Sequence, residues 1–376
     1  MLLLNLDTYK TKSIALYCNT YMAWLLILNS LLFVATLTEY LICMKYINLE
    51  YDYKNEWFNV LLSLVFTPFY SCFFIHKFSW SKIKSYTTRE NRHLLLYPVG
   101  TGILYTIETV TVFFALNTIT LSYYTILRSG FIIFNIPWFK YLLKKPVTRI
   151  YVASCVSLVI AQLISTAQYI SKYSDSNGDS NGNSNSNSKS NVGQNVIQNA
   201  FIVMVSCFLN ATYNNLIEYS MALYGTQMQT IDFQIIFQCT YLLIAAPFAV
   251  VYTVKHTPPI NVSTITMYFF IAFGLQLYMF NKIYILNSSK EGAIPANILL
   301  SGLDLLRRVI QLTYSFVCFK EPFDTIIGIS LVFLGLSAGL LLYQYISDHR
   351  KASRTRHVKM LELEEESNLE KQIEMI

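Results

Sequence analysis

The pattern of apolar and polar positions divides the chain into runs of about 20 apolar residues separated by short polar stretches, each run long enough to cross about 30 Å of hydrocarbon. Ten such runs are read, over about 21–44, 57–76, 94–116, 119–142, 148–170, 197–222, 230–253, 264–286, 293–318 and 323–346. The expected fold class is therefore an all-α membrane protein with ten transmembrane helices. Composition agrees: of 376 residues, 54% are hydrophobic and only 13% charged, and the mean hydropathy is +0.40. A chain so poor in charge cannot clothe a water-soluble surface. The start, Met1-Leu2-Leu3-Leu4, runs into Asp7 and Lys10 with no small-residue cleavage site, so the first span is expected to do the targeting.

An even number of spans puts both termini on one side. The segments on that side hold 17 Lys and Arg, leaving aside Lys371, against six on the other, so both termini are expected to be cytoplasmic. Residues 174–191 are 13 Ser or Asn out of 18, a composition that cannot bury a core and reads as disordered linker. The expected organisation is a first five-helix half over 1–170, a luminal linker over 171–196, a second half over 197–346 and a cytoplasmic tail over 347–376. The tail begins basic at Arg350–Lys359, turns acidic at Glu362–Glu366, and reads as a solvated helix. The linker holds no N-x-S/T sequon; of those at Asn210, Asn261 and Asn287, only Asn261 falls on the non-cytoplasmic side.

The halves repeat. LLKKPVTRIYVASCVSL (142–158) aligns without gaps on CFKEPFDTIIGISLVFL (318–334), pairing Lys144 with Lys320, Pro146 with Pro322, Ile150 with Ile326 and Ser154 with Ser330 at a spacing of 176. Glu39-Tyr40 and Glu218-Tyr219 echo one another at a spacing of 179. With five spans per half the copies must have opposite topology, the inverted-repeat plan that builds transporters around a mid-membrane site. Ten helices as two inverted five-helix repeats is the expected architecture.

The stretch Ser122-Tyr123-Tyr124-Thr125-Ile126-Leu127-Arg128-Ser129-Gly130-Phe131-Ile132-Ile133-Phe134 resembles the fourth helix of the drug/metabolite transporter superfamily, especially the F branch of its solute carrier 35 family of nucleotide-sugar-transporter-like proteins. The resemblance continues through Phe280-Asn281, Lys290-Glu291, Leu300 to Arg307 and Glu321-Pro322. Thr125 stands where that branch carries glutamine, and Tyr105 where an acid is expected, with Glu108 one turn away. The resemblance implies a transport fold in an internal membrane, of the Golgi, endoplasmic reticulum or vacuole/lysosome. The superfamily carries nucleotide sugars, triose phosphates, amino acids and drugs, so no single substrate follows.

Ionisable residues within spans cost at least about 2.5 kcal/mol each on insertion scales and need a partner or a purpose. Glu39, Glu218, Asp232 and Lys282 lie within about two turns of a helix end and read as snorkelling to the interface, with Glu39 and Glu218 also candidate gating residues. Glu108, Arg128, Asp304, Arg307 and Arg308 are deep. Glu108 and Arg128 stand at equal depth on neighbouring antiparallel helices, placed to pair. Asp304 precedes Arg307 by three residues and Arg308 by four, so it can neutralise one of them. Because adjacent helical residues diverge by about 100°, the other is expected to line a cavity; Arg307 is favoured, on a stripe with Leu300, Leu303 and Tyr314. Two acids against three arginines leave one positive charge, which a planar guanidinium would use on phosphate or carboxylate; a closed structural network is the alternative. The candidate substrate-binding set is Glu108, Tyr124, Thr125, Arg128, Asp304, Arg307 and Arg308.

Other chemistry is not expected. Four of the five histidines lie outside the expected spans and His76 is the last residue of the second, the seven cysteines are scattered singly, H-E-x-x-H and G-x-x-x-x-G-K-[ST] are missing from the sequence, and the G-x-S-x-G match at Gly335-Leu336-Ser337-Ala338-Gly339 lies inside the tenth apolar run instead of at a strand-to-helix turn, which argues against an enzyme, a metal or other cofactor and an ATP-driven pump. The expected partners are a small-molecule solute and the lipid bilayer, with no nucleic acid. Gly335-x-x-x-Gly339 leaves open packing within a subunit or a homodimer seam. The leading function is a secondary active transporter of an organic, anionic metabolite. The alternatives are an amino-acid or drug-type carrier, and a receptor or scaffold that does not transport.

Overall fold

The structure is a computed structural model, and it describes residues 28–36, 38, 43, 47, 80–116, 121–175, 187–224, 227–258, 260–287, 296–318 and 325–373. Among them there is no strand. Residues 28–36 are helical, inside the first expected span; the second, 57–76, and the candidate gate Glu39 lie outside the described residues. Ten further helices follow: α1 (Trp80–Tyr86), α2 (Arg92–Leu116), α3 (Leu121–Arg128), α4 (Phe131–Tyr141), α5 (Arg149–Asp175), α6 (Asn187–Tyr224), α7 (Thr230–Lys255), α8 (Val262–Asn287), α9 (Ala296–Cys318) and α10 (Thr325–Ile373).

Among the described residues six stretches are long and apolar enough to cross a membrane: Arg92–Val112, Arg149–Ser171, Ile197–Tyr224, Thr230–Lys255, Val262–Leu286 and Thr325–Asp348. Their outer faces carry bare apolar side chains, Leu163 at 65% exposure and Leu243 at 76% among them, as lipid contact requires. The 23 residues of α9 span about 34 Å at 1.5 Å per residue, but Asp304, Arg307 and Arg308 interrupt its apolar character. The α10 helix runs past its apolar part to Ile373, in keeping with the helical tail expected. α6 starts at Asn187, ten residues ahead of its apolar run at 197, because extending a formed helix fixes one residue per hydrogen bond, whereas starting one fixes several.

The fourth expected span, 119–142, is not one helix. It breaks at Ser129-Gly130 into α3 and α4, and the turn tightens: Gly130 N donates to Leu127 O (3.0 Å) and Ile133 N to Gly130 O (3.0 Å), three residues back. A break inside a membrane strands carbonyls that no water can reach. Here side chains from two other helices take them. Gln162 Nε2 of α5 donates to Leu127 O (2.9 Å), and Cys207 Sγ of α6 lies 3.4 Å from Arg128 O. Gly130 is what admits the glutamine, since a Cβ there would stand 2.5 Å from Gln162 Nε2.

Two apolar clusters form the core. One gathers Leu127, Phe131, Tyr151, Leu158, Cys207, Leu305 and Leu341; the other Tyr213, Ile217, Phe233, Tyr278, Ile283 and Leu300. Helices α6 and α9 feed both, showing different faces to each. α5 packs along α10 and α2 along α6 and α7. At the first contact Ser154 and Ser337 hydrogen-bond, Ser330 Oγ donates to Ala161 O (3.3 Å) and Ser157 Oγ donates to Phe333 O (2.9 Å). Small hydroxyls let these two backbones approach closely in lipid.

Candidate functional site

The break sets Arg128 as the last residue of α3, facing inward. Its guanidinium pairs with Glu108 of α2 and hydrogen-bonds Ser206 Oγ of α6, and both charged side chains are buried. The pairing expected from equal depth is present. The Tyr124 ring lies one turn back, its centroid 5.9 Å from the Arg128 guanidinium carbon.

On α9 the geometry departs from expectation. Asp304 engages both arginines, one on each oxygen: Arg307 Nε donates to Oδ1 (3.0 Å) and Arg308 Nε to Oδ2 (2.7 Å). The 100° divergence was overcome by side-chain length, because two long arginines at i+3 and i+4 curl back over one turn from either side of a carboxylate that has two acceptors. Neither arginine is free of Asp304. Arg307 Nη1 also donates to Gln311 Oε1 (2.8 Å) and Arg308 Nη1 to Thr125 O (3.2 Å). Nor is the stripe behind Arg307 a single buried face: Leu300 and Leu303 are buried, whereas Tyr314 is 38% exposed. Thr125 bridges the broken helix to α9, its Oγ1 accepting from Gln311 Nε2 at 3.5 Å.

The three described residues read as snorkelling are all buried. Being near a helix end does not bring a side chain to water when it points between helices. Glu218 accepts from the backbone N–H of Ala296 (2.9 Å) and Asn297 (3.1 Å), the first residues of α9, and pairs with Lys145 Nζ (3.3 Å). A carboxylate here satisfies orphan donors at the positive end of the helix. Asp232, in the first turn of α7, accepts from Tyr86 Oη of α1 (2.8 Å); burial, then this carboxylate, pushes the Tyr86 phenol well up. Lys282 of α8 is 1% exposed, donates to Tyr213 Oη (2.6 Å) and lies over the Tyr213 and Tyr278 rings at 4.3 and 5.6 Å. The charges of Arg128, Asp304 and Arg307 all act on it.

An amide node completes the polar centre. Asn135 Oδ1 of α4 accepts from Asn215 Nδ2 (2.8 Å) and Asn297 Nδ2 (3.3 Å), while Asn135 Nδ2 donates to Ser301 Oγ (3.3 Å). The amides of Asn281 and Gln344 are buried with no hydrogen-bond partner among the described residues. Asn135, Ser206, Tyr213, Asn215, Lys282, Asn297 and Gln311 were not expected in the site. The signal available for them was an uncommon polar residue inside an apolar run.

Among the described residues the centre thus holds four buried cations, Arg128, Lys282, Arg307 and Arg308, against two carboxylates, Glu108 and Asp304; the other two buried carboxylates, Glu218 and Asp232, are engaged by Lys145 with the start of α9 and by Tyr86. Among the described residues no group of three or more His, Cys, Asp or Glu side chains could hold a metal ion. Compared with known proteins, the sequence matches no protein-family model and no curated sequence.

Proposed function

We propose that the protein is a secondary active transporter of an organic anion, built as ten membrane helices in two inverted five-helix repeats with both termini cytoplasmic, of the kind the drug/metabolite transporters represent. The observation that carries the function is that, among the described residues, the buried cations Arg128, Lys282, Arg307 and Arg308 share two carboxylates, Glu108 and Asp304, where α2, α3, α6, α8 and α9 meet, while the other two buried carboxylates are engaged at helix ends, Glu218 with Lys145 and the first N–H groups of α9 and Asp232 with Tyr86. Buried positive charge left over after pairing is costly, and a bound anion relieves it. The unpartnered amides of Asn281 and Gln344 support the reading, because a closed structural network would satisfy its own polar groups. So does the broken α3–α4 helix beside Arg128, since discontinuous helices form midplane sites in many transporters.

Two crossings support the inverted repeat. At a spacing of 176, Asn135 corresponds to Gln311 and Thr125 to Ser301. The contacts exchange accordingly: the Asn135 amide donates to the Ser301 hydroxyl, and the Gln311 amide to the Thr125 hydroxyl. On α5 and α10, Ser154 corresponds to Ser330 and Ala161 to Ser337; Ser154 meets Ser337 and Ser330 meets Ala161, while Ser157 meets its own counterpart, Phe333. A local twofold axis between oppositely oriented copies produces this exchange of partners together with its matched chemistry.

The function is tested by counterflow into liposomes holding the purified full chain, with inorganic phosphate, nucleotides, nucleotide sugars, carboxylates and amino acids preloaded in turn. Exchange of an anion that is lost in Arg128→Gln supports the reading. Exchange confined to neutral or cationic solutes favours the amino-acid or drug-type carrier, and no exchange of any solute favours a receptor or scaffold.

A further inference from the structure

The four buried cations are not chemically alike. The three arginines are each tied to a carboxylate and keep their protons at any pH a protein survives. Between them they occupy all the carboxylate at the centre: Glu108 holds Arg128, and Asp304 holds Arg307 and Arg308, one per oxygen. Among the described residues nothing anionic is left within ion-pair reach of Lys282. Its Nζ donates to the Tyr213 phenol and lies over the Tyr213 and Tyr278 rings. A ring face and a phenol oxygen offset only part of the cost of a desolvated ammonium.

Among the described residues Tyr213 of α6 and Tyr278 of its own helix touch this lysine, and the charges that act on it at longer range are Arg128 of α3 and Asp304 and Arg307 of α9. Two of the three charges among them are positive. Lysine is the member of this set that can shed its charge by giving up a proton.

We infer that Lys282 is the proton-coupling group of the transporter: it holds a proton while an anion occupies the centre and is neutral while the centre is empty, so that anion and proton cross together. The inference rests on the anion-transport reading and deepens it. Charge counting also fixes the class of solute. With Lys282 neutral the centre carries one positive charge, from three arginines and two carboxylates, and with Lys282 protonated it carries two. A dianion such as a phosphate monoester, entering with one proton, leaves the occupied centre neutral. The proton is taken from water on the side of entry onto Lys282 Nζ and returned to water on the side of release, so none is consumed.

The experiment uses the full chain in liposomes with the membrane potential clamped and a pH-sensitive dye inside, against inorganic phosphate, phenyl phosphate and uridine monophosphate. The expected result is uptake accompanied by internal acidification at one proton per dianion, with the accumulation ratio rising about tenfold per unit of inward pH gradient. Lys282→Arg, fixed in the charged form, should lose the pH-driven accumulation while its counterflow is reduced but still measurable; Lys282→Met should lose both. Net uptake of a phosphate into unloaded vesicles with no acidification overturns the proton role and leaves anion transport standing. So does pH-driven accumulation that persists in Lys282→Arg. Absence of counterflow for every phosphate overturns the dianion assignment, and if every other anion also fails, the transport reading falls with it. The parental dye signal decides even where a variant fails to fold.

Discussion

Arg128→Ala is the substitution whose cost follows most directly from the structure. Both partners of the pair are buried, with the Arg128 side chain at 8% exposure and Glu108 at 4%, and Ser206 engages the same guanidinium. Truncating the arginine leaves a carboxylate in hydrocarbon with its charge unmet, which costs about 3–5 kcal/mol. At about 2 °C of thermal midpoint per kcal/mol for a chain of this size, the drop is about 6–10 °C, read by size-exclusion recovery after heating detergent-purified protein. Glu108→Gln in the same background removes the stranded charge and should return about 2 kcal/mol, so the double variant melts above Arg128→Ala. The reasoning fails if Arg128→Ala melts within 1 °C of the parent on this scale of about 2 °C per kcal/mol, or if adding Glu108→Gln returns nothing.

Asp304→Asn strands two arginines at once and should lower the midpoint more than either Arg307→Gln or Arg308→Gln, measured the same way. Glu218→Gln loses the Lys145 pair and weakens the hold on the first two N–H groups of α9; a loss of about 1–3 kcal/mol is expected, with faster hydrogen exchange at Ala296 and Asn297. Gly102→Ala drives a Cβ to 2.9 Å from Phe237 O on α7, and backbone cannot step aside, so about 1–3 kcal/mol should be lost. Gly100→Ala, one half-turn away with nothing within 4 Å, should gain about 0.5–1 kcal/mol from helix propensity; the opposite order in a melt would refute the close approach of α2 to α7.

The helices from α2 onward were legible because a membrane imposes one requirement, an apolar run of fixed minimum length, and the sequence answers it segment by segment. The break at Ser129-Gly130 was not. A glycine inside an apolar run is common in membrane helices, and what makes this one a break lies on Gln162 and Cys207, distant in sequence. The Arg128–Glu108 pair was legible, since depth follows from counting residues away from a turn. The double hold of Asp304 was hidden by treating a side chain as a direction. An arginine reaches about 6 Å from its backbone, far enough to cover the angle between neighbouring positions. Lys282 was misplaced by counting along the helix axis when the deciding coordinate was azimuth: it faces Tyr213 of α6, so even near the helix end its side chain is buried in this conformation.

Where the break obtains its hydrogen bonds bears on how the centre works. Had the carbonyls of Leu127 and Arg128 been left open to solute, the break would exist only while something filled it, and binding would have to offset the cost of forming it. Instead Gln162 and Cys207 engage those carbonyls from α5 and α6. Leu127 is buried against α5 and α6 in the first apolar cluster, which fixes the same turn by packing. The break is therefore part of the resting fold. Arg128 is held at a helix end by groups unconnected with its charge, and its guanidinium is oriented by Glu108 and Ser206 before any anion arrives. A cation held in that way attracts an anion with little reorganisation, and preorganisation of this kind converts buried charge into affinity. The orienting carboxylate belongs to α2 and the hydroxyl to α6, so in the proposed anion transporter a movement of either helix would withdraw a partner from Arg128 and change how strongly it attracts the anion. That gives a centre assembled from several helices a means of coupling occupancy to helix position.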